Sequence, residues 1–409
     1  MNHIMISTYQ AKQIILENTN VLSSAIIDIK NALGKVLSAA IVSPIDLPPF
    51  PQSSMDGYAF KFENLIHHSS LEVKHRIAAG DESEYMLHDG QAVRLFTGSP
   101  IPFGCDTVVM QEKTELKNGR LYIHDHNLIA GSNYRNKGSE IKAGAIALPK
   151  DTRIAPATIG FLASMGIGQV EVYRDPSVSI LITGDELTAL DQDLKFGKVY
   201  DSNSYTLNAA FNQSGIAHIA IKHIPDHIER LKECLQEAIK ENDIVVLTGG
   251  VSVGDFDFVT QAAEAVGVQT IFHKIKQKPG KPMYCGQYKT RERIGLTAGE
   301  HKCLIFGLPG NPASALTCFY EYIEPTLKKM MGSKSAVQII HAPITSFYKK
   351  PIGLTHFLKA SFDGNKVTSL DAQESFRLKS FALTNALIII DEDSTEVNIG
   401  QLVEVHLLP

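Results

Sequence analysis

The spacing of hydrophobic and polar positions changes several times along the chain, and each change predicts a different kind of structure. Residues 7–18 have helical spacing, and a second short helix is expected within residues 24–37. The segment 44–57, PIDLPPFPQSSMDG, has four prolines in its first eight positions, which excludes a helix or a central strand. Residues 70–148 contain short apolar runs between turn residues and predict a small all-β domain.

Strand-like and helix-like segments alternate after residue 177, as expected for a doubly wound α/β domain. A helix starting at Pro156 and a strand over Gln169–Tyr173 precede this domain. After Gly332 the helical spacing gives way to strand-like runs, which predict a small C-terminal β-barrel or sandwich. The predicted elements of the alternating part are strand 178–183, helix 203–213, strand 216–223, helix 227–240, strand 243–248, helix 256–266, strand 268–274, strand 303–307 and helix 313–331.

Three predicted strands each end in a glycine-rich turn. Ser179–Thr183 is followed by Gly184-Asp185-Glu186, Ile244–Thr248 by Gly249-Gly250, and Cys303–Phe306 by GLPGNP at 307–312. Because the carboxyl ends of parallel strands meet at one edge of a sheet, these turns should share a crevice lined by backbone N–H groups. Such a crevice suits a phosphate-bearing ligand.

Composition narrows the class of protein. The 409 residues are 44% hydrophobic, which is enough for several packed cores and favours two to four domains. With 39 Lys and Arg against 44 Asp and Glu, the formal charge is −5, so a general nucleic-acid surface is not expected. Five cysteines without CxxC pairs fit the reducing cytoplasm. Neither an export signal nor an apolar run of about 18 residues is found, so membrane insertion is not expected.

The turn at 249–255, GGVSVGD, is a candidate phosphate site. Its glycines would let the backbone approach a phosphate, and Ser252 could hydrogen-bond it. The turn matches neither a Walker loop nor a dinucleotide loop, so a tight turn without a ligand is the alternative. Downstream, Lys274, Lys278 and Lys281 cluster on a segment stiffened by two prolines. This cluster suits an oxyanion, and a solvated basic hairpin is its alternative.

Acidic residues cluster near the same turns. Asp185, Glu186 and Asp257 are candidate ligands for Mg²⁺, which prefers oxygen ligands and retains waters. Helix capping is the competing explanation for Asp201 and Asp226, which both precede predicted helices. The fifteen histidines include no HExxH, and no GxSxG elbow is present, so zinc and serine hydrolases are disfavoured.

Six motifs, taken together, are far more specific than any one of them. In chain order they are PPFPQSSMDGYAF at 48–60, TGSPIPFGCDTVV at 97–109, ITGDEL at 182–187, TGGVSVGDFD at 248–257, KPGKP at 278–282 and GLPGNPAS at 307–314. Over essentially the whole sequence, these motifs resemble those of the molybdopterin molybdenumtransferase family, which includes the E domain of gephyrin.

The resemblance implies a multidomain α/β fold in an elongated homodimer. Each subunit would have a doubly wound molybdopterin-binding α/β domain, an inserted all-β domain, a linking domain and a C-terminal β-barrel. The implied boundaries are 1–24 with 44–52 and 141–172 for the linking domain, 53–140 for the inserted domain, 25–43 with 173–331 for the α/β domain, and 332–409 for the barrel.

The resemblance also implies a reaction: insertion of molybdate into adenylylated molybdopterin with Mg²⁺, giving molybdenum cofactor and AMP. Matching motif by motif, the implied catalytic residues are Asp56, Thr97, Glu186, Asp226, Asp257, Lys274 and Lys278. Substrate binding is assigned to Gly249, Gly250, Ser252, Gly254, Lys281, Pro309, Pro312 and Glu140, and the metal to Asp185, Glu186 and Asp257.

Asp56, Thr97 and Glu140 would reach the cleft from the partner subunit of the dimer. Two departures from the family pattern affect this side of the site. Pro51-Gln52 follow PPF where the family often has an acidic residue, and Glu140 stands where it commonly has Asp. Glu140 keeps the charge but is longer by one methylene.

The sequence disfavours two rival functions. The related molybdopterin adenylyltransferases share the α/β module, but the SVGxxD turn and the long segment 1–176 argue against that activity. A receptor-clustering scaffold, as in gephyrin, would need a receptor-binding segment, and none is recognisable. The family relation also allows a molybdopterin adenylyltransferase as a protein partner.

Overall fold

The computed structural model describes residues 5–250, 258–290, 301–334 and 337–409. The chain divides into two compact units. Unit 1 is built from Met1–Ala25, Gly34–Val36 and Val172–Pro409, and unit 2 from Ile26–Leu33 and Leu37–Glu171. No helix of the described ranges combines the length and apolar character needed to cross a membrane.

Unit 1 contains a six-stranded mixed sheet. Its first four strands are parallel, and the last two are antiparallel to their neighbours. The central strands Val178–Thr183 and Ile244–Thr248 are buried at every position, as expected for strands covered on both faces. The order across the sheet is Ile219–Ile224, Val178–Thr183, Ile244–Thr248, His301–Leu308, Tyr284–Thr290 and Gln269–His273.

Helices cover both faces of this sheet. Alternate residues of Ile244–Thr248 point to opposite faces, so Val246 packs in one core cluster and Val245 in another. Helices Asn203–Gln213 and Pro312–Cys318 contribute to the first cluster, together with Thr8–Glu17 and Glu324–Met330. Helices Ile228–Glu241 and Phe258–Ala265 contribute to the second. The predicted doubly wound arrangement is therefore confirmed.

The second large sheet of unit 1 is C-terminal. One edge of this sheet is the two-residue strand Gln277–Lys278, which pairs in parallel with Thr355 and His356. The order is Gln277–Lys278, Thr355–Phe362, Ala386–Ile390, Leu402–Leu407 and Gln338–Pro343, with Val367–Ser369 beside Thr355–Phe362. The remaining elements of the unit are the strand pairs Leu187–Thr188 with Val199–Tyr200 and Tyr348–Lys349 with Glu396–Val397, and helix Leu378–Phe381.

Unit 2 is mostly β-structure around a six-stranded sheet. Its order is Thr107–Met110, Gly57–Phe60, Gln91–Leu95, Leu71–Ile77, Arg120–Ile123 and Thr114–Lys117. The unit also has the strand pairs Gln52–Ser53 with Tyr134–Arg135 and Ile41–Val42 with Ile146–Leu148, helices Asn64–His67 and Pro156–Ser164, and 3₁₀ turns Ile29–Asn31 and Gln111–Lys113. Strands Ser24–Asp28 and Gln169–Tyr173 lie where the two units meet in sequence.

The helix predicted within residues 24–37 is wrong. The segment forms strand Ser24–Asp28 and the 3₁₀ turn Ile29–Asn31 instead. Adjacent β-branched residues, Ile26 and Ile27, favour the strand, and the Asp28 side chain accepts the Lys30 N–H at 2.8 Å to start the turn. The conformation of this segment is therefore set by the β-branched residues and the Asp28 hydrogen bond, and not by the helical spacing of its apolar residues.

Two other elements differ from their predicted form. Strand Tyr284–Thr290 was not predicted, since Gly286 in its interior weakens the strand signal. The long helix predicted at 313–331 begins at Pro312 and is interrupted by a π-helical turn over Phe319–Ile323. The four-domain boundaries stay a prediction.

Candidate functional site

The three glycine-rich turns lie side by side in unit 1. Strands Val178–Thr183, Ile244–Thr248 and His301–Leu308 are consecutive and parallel in the sheet, so their carboxyl ends meet at one edge. A cleft of about 590 Å³ opens at this edge. It is lined by Ile182, Thr183, Glu186, Leu187, Val199, Tyr200, Asp201, Ser202, Asn203, Thr248, Gly249, Pro282, Pro309, Gly310, Asn311 and Pro312.

The middle turn depends on glycine. Gly249 has φ +85°, and a Cβ there would overlap the Thr183 carbonyl oxygen. Gly250 has φ +62°, and its Cβ would stand 3.0 Å from the Thr183 hydroxyl. Only glycine takes this backbone path without strain. The turn therefore presents bare backbone to the cleft, as a phosphate site requires.

Asn203 joins the end of strand Ile244–Thr248 to the turn at 307–312. Its side-chain Nδ2 donates to Thr248 Oγ1 at 2.9 Å and to the Gly310 carbonyl oxygen at 2.8 Å. Buried Asn203 Oδ1 and Thr183 Oγ1 have no hydrogen-bond partner among the described residues. Unpaired buried polar atoms are uncommon in folded proteins, so their presence at this cleft is consistent with a ligand site. Sequence reasoning missed Asn203, although its position as the first residue of the predicted helix 203–213 was a signal.

Asp185 and Asp226 are brought together beside the first turn. The Asp226 carboxylate accepts the Asp185 N–H at 3.1 Å, and the Asp185 carboxylate accepts the Asp226 N–H at 3.2 Å. Glu186, next in sequence, is exposed and lines the cleft. The carboxylates of Asp185 and Asp226 are therefore held near the cleft by backbone donors.

Asp201 behaves as the capping alternative requires. Its carboxylate accepts the Ser204 N–H at 3.1 Å at the start of helix Asn203–Gln213 and contacts His223 Nε2 at 2.8 Å. Burial alone would raise the pKa of Asp201, but the hydrogen bonds from Ser204 and His223 outweigh burial and lower this pKa. Asp201 is thus an ionised structural cap at the cleft wall.

The carboxylates suit Mg²⁺ in number and type. The described part of the chain contains no group of three His, Cys, Asp or Glu side chains placed to hold a metal ion by themselves. Mg²⁺ usually keeps several waters and needs only one or two carboxylates plus substrate phosphates. Glu186 and Asp185, beside a bare backbone turn, fit that requirement.

The segment 274–282, which carries Lys274, Lys278 and Lys281 and is here called the lysine segment, also belongs to unit 1. Lys274 has φ +73°, a left-handed conformation that non-glycine residues seldom adopt outside constrained sites. Lys278 and Lys281 are exposed, and Pro282 lines the cleft directly after Lys281. Because Lys278 pairs with His356 in the sheet, the charge of Lys278 lies near the buried imidazole of His356. Burial, together with the Lys278 and Lys350 charges, lowers the pKa of His356 to about 4.

Asp56 and Thr97 form a pair in unit 2. The same Asp56 oxygen, Oδ1, accepts the Thr97 N–H at 2.8 Å and the Thr97 hydroxyl at 2.8 Å. The backbone hydrogen bond, followed by the hydroxyl, lowers the pKa of Asp56, so the carboxylate is ionised at neutral pH. Glu140, the third predicted residue of this unit, is exposed, and its N–H donates to the Leu47 carbonyl oxygen at 2.9 Å.

The cleft collects predicted residues from separate motifs: Glu186, Gly249, Pro309 and Pro312 all line it. Gly250 lies against Thr183 of the same cleft. Ser252, Gly254 and Asp257 lie outside the described residues, so their predicted roles stay predictions.

Comparisons with known proteins agree along the whole chain. Family models described as the MoeA N-terminal region (domain I and II), a probable molybdopterin binding domain and the MoeA C-terminal region (domain IV) match residues 6–166, 179–329 and 341–408. A molybdopterin molybdenumtransferase of Nostoc is 35% identical over 94% of this chain and 88% of the relative. The Haemophilus influenzae protein of the same name is 31% identical over 93% of this chain and 94% of its own length.

A solved structure extends this similarity to three dimensions. The crystal structure of the molybdopterin biosynthesis MoeA protein from Pyrococcus horikoshii superposes with a TM-score of 0.83 at 27% identity, covering 99% of both chains. The multidomain α/β fold is therefore shared along the full length. Sequence, fold and family models agree, and the chain belongs to the molybdopterin molybdenumtransferase family, a family of transferases in molybdenum cofactor biosynthesis.

Proposed function

We propose that this protein inserts molybdate into adenylylated molybdopterin in a Mg²⁺-dependent reaction, forming molybdenum cofactor and releasing AMP. One observation carries the proposal: residues of three separate motifs, Glu186, Gly249, Pro309 and Pro312, line a single cleft with a bare glycine turn and adjacent carboxylates. Both substrates are anionic, because molybdate is an oxyanion and the pterin carries phosphate. N–H donors, cations and a carboxylate-held metal are the groups that bind such substrates.

Each part of the site has a proposed role. The N–H groups from Gly249 onward bind phosphate of the pterin or of AMP, and Ser252 and Gly254 of the same sequence motif take part in this binding. Lys274, Lys278 and Lys281 bind oxyanions and offset the negative charge of the transition state. Pro309 and Pro312 line the cleft and shape its wall.

Asp185, Glu186 and Asp257 are the proposed holders of Mg²⁺ or of its waters. The ion, when bound, would supply positive charge beside the phosphate oxygens. Asp226 accepts the Asp185 N–H and fixes the first turn. Its catalytic role would then include orienting Asp185 toward the metal.

We further propose that the active form is a cytoplasmic homodimer of four-part subunits with a C-terminal β-barrel. In it, Asp56, Thr97 and Glu140 reach the cleft of the partner chain. Two-fold symmetry would then create two equivalent sites. A molybdopterin adenylyltransferase is the proposed supplier of the adenylylated substrate.

The direct test is AMP release by the purified protein. Adenylylated molybdopterin is mixed with protein, and AMP is quantified by chromatography with and without molybdate and Mg²⁺. The proposal expects AMP only when both ions are present, with molybdenum cofactor formed in equal amount. ATP consumption with unmodified molybdopterin would favour adenylyl transfer instead, and no AMP release under any condition would refute the proposal.

A further inference from the structure

A buried glutamine lies at the centre of the lysine segment. Gln277 is 0% exposed, although it stands directly between Lys276 and the exposed Lys278. A fully buried amide is costly unless each of its polar atoms finds a partner. The hydrogen bonds of Gln277 therefore show what holds this segment.

Both polar atoms of the Gln277 amide are used. Its Nε2 donates to the Gly280 carbonyl oxygen at 3.2 Å and contacts Cys318 Sγ at 3.3 Å. Its Oε1 accepts the hydroxyl of Tyr322, which is 1% exposed. The glutamine thus links the turn after Lys278 to the helical region that carries Cys318 and Tyr322.

The helical side of this link has an unusual geometry. Tyr322 lies in the π-helical turn Phe319–Ile323, and such turns occur frequently at functional sites. Gly280, at φ +90°, approaches the same surface so closely that a Cβ would stand 2.7 Å from Cys318 Sγ. The turn between Lys278 and Lys281 is therefore packed directly on the helix.

Backbone hydrogen bonds hold the segment on its other sides. The Ile275 N–H donates to the Lys281 carbonyl oxygen at 2.9 Å and the Lys276 N–H to Ile6 at 2.8 Å. The Thr355 N–H donates to the Lys276 carbonyl oxygen at 2.9 Å. The backbone is thus tied at several points, and Gln277 supplies the inner side-chain anchor.

We propose that Gln277 and Tyr322 are positioning residues that hold Lys274, Lys278 and Lys281 in their working geometry. The inference rests on the proposed function of those lysines. Without the Tyr322 hydroxyl, the Gln277 carbonyl oxygen would be buried and unpaired, and the amide would gain by reorienting. A reoriented Gln277 would release the Gly280 carbonyl oxygen and with it the turn that joins Lys278 to Lys281.

The test compares Tyr322→Phe with Thr326→Val. The control also removes a buried hydroxyl, one that donates to the Tyr322 carbonyl oxygen at 2.7 Å, but it leaves the Gln277 amide intact. We expect Tyr322→Phe to lower kcat about tenfold with KM changed less than about twofold, and Thr326→Val to leave both constants near wild type. Equal effects of the two variants would reduce Tyr322 to a structural role and overturn the inference.

A double-mutant cycle checks that Tyr322 acts through the lysines. In a Lys278→Ala background, Tyr322→Phe should lower the remaining activity by less than about twofold, because the group it positions is gone. A full tenfold loss in that background would contradict the inference. Gln277→Met, which removes the amide but keeps the length of the side chain, should repeat the Tyr322→Phe result.

Hydrogen exchange separates this inference from the proposed function. Peptides covering residues 275–281 should exchange faster in Tyr322→Phe than in Thr326→Val, whatever the enzyme's substrate is. Wild-type protein without AMP release would refute the function while leaving this prediction testable. Unchanged exchange in Tyr322→Phe would refute the positioning role while leaving the function untouched.

Discussion

The cleft of unit 1 and the Asp56–Thr97 pair of unit 2 obtain their chemistry by different means. The cleft relies on backbone: Gly249 and Gly250 take positive φ angles so that main-chain atoms, without side chains, face the ligand space. The pair in unit 2 relies on side chains, since two donors of Thr97 converge on one oxygen of Asp56. Substitutions should therefore damage the first region by adding atoms and the second by removing charge.

The lysine segment combines features of both regions, because it depends on side-chain charges and on the backbone that positions them. Its charges are on side chains, but their positions depend on a buried amide and on strand pairing with Thr355 and His356. Removing a charge and loosening its support should therefore give separable effects.

Lys278→Ala should have the largest effect. Loss of a cation that offsets developing negative charge is expected to lower kcat by about 10²- to 10³-fold. The matched control is Lys276→Ala, two residues earlier on the same segment, which removes the 3.5 Å ion pair between Lys276 Nζ and Glu392 Oε2. Thermal unfolding should be nearly the same for both variants. Near-normal kinetics for folded Lys278→Ala would remove this lysine from the mechanism.

Gly249→Ala should have the second-largest effect. The added methyl group meets the Thr183 carbonyl oxygen in a left-handed backbone conformation, which should cost roughly 2 to 4 kcal/mol of stability. AMP binding, measured by calorimetry, should be lost with it. Gly215→Ala is the control, because Gly215 has a similar φ of +87° with nothing within 4 Å of its Cβ position. Equal effects of the two substitutions would show that backbone strain alone, and not the close approach, matters.

Much of the structure around the cleft of unit 1 could be predicted, because the sequence patterns that encode it involve adjacent residues. Strand Val178–Thr183 and the turns that follow the parallel strands are encoded by adjacent residues, and the structure has them where they were expected. Asn203 and Gln277 were missed because their partners, Gly310 and Tyr322, are distant in sequence. A motif identifies Asp56 and Thr97 but does not reveal the hydrogen bonds that join them. The strand over Ser24–Asp28 was missed since β-branched residues can be arranged with helical spacing.

Glu186→Gln should produce a smaller effect. The substitution keeps the shape of the side chain but removes a charge from the cleft, so the Mg²⁺ concentration for half-maximal AMP release should rise about tenfold, or about 1.4 kcal/mol. Asp191→Asn changes an exposed acid beyond the short strand Leu187–Thr188, serves as the control and should leave this concentration unchanged. An unaltered Mg²⁺ dependence in Glu186→Gln would place the metal on other ligands.

The smallest effect concerns acid stability near Lys278. The pKa of His356 is about 4 in the folded protein against an ordinary 6.5, so folding favours the neutral imidazole. This stability is present above about pH 6.5 and is lost as pH falls toward 4, by about 1 to 2 kcal/mol between about pH 7 and pH 5. Urea unfolding should show that slope in wild type and a flatter one in His356→Gln. Identical slopes would contradict the assignment to His356.

In the proposed homodimer, Asp56 of one chain and Lys278 of the other serve one reaction. The most direct test of this claim is a purified heterodimer of one Asp56→Ala chain and one Lys278→Ala chain, in which one cleft carries both defects and the other none. Both mutant homodimers should be nearly inactive, while the heterodimer should regain roughly half of the wild-type rate of AMP release. A verified heterodimer as inactive as its parents would contradict the claim.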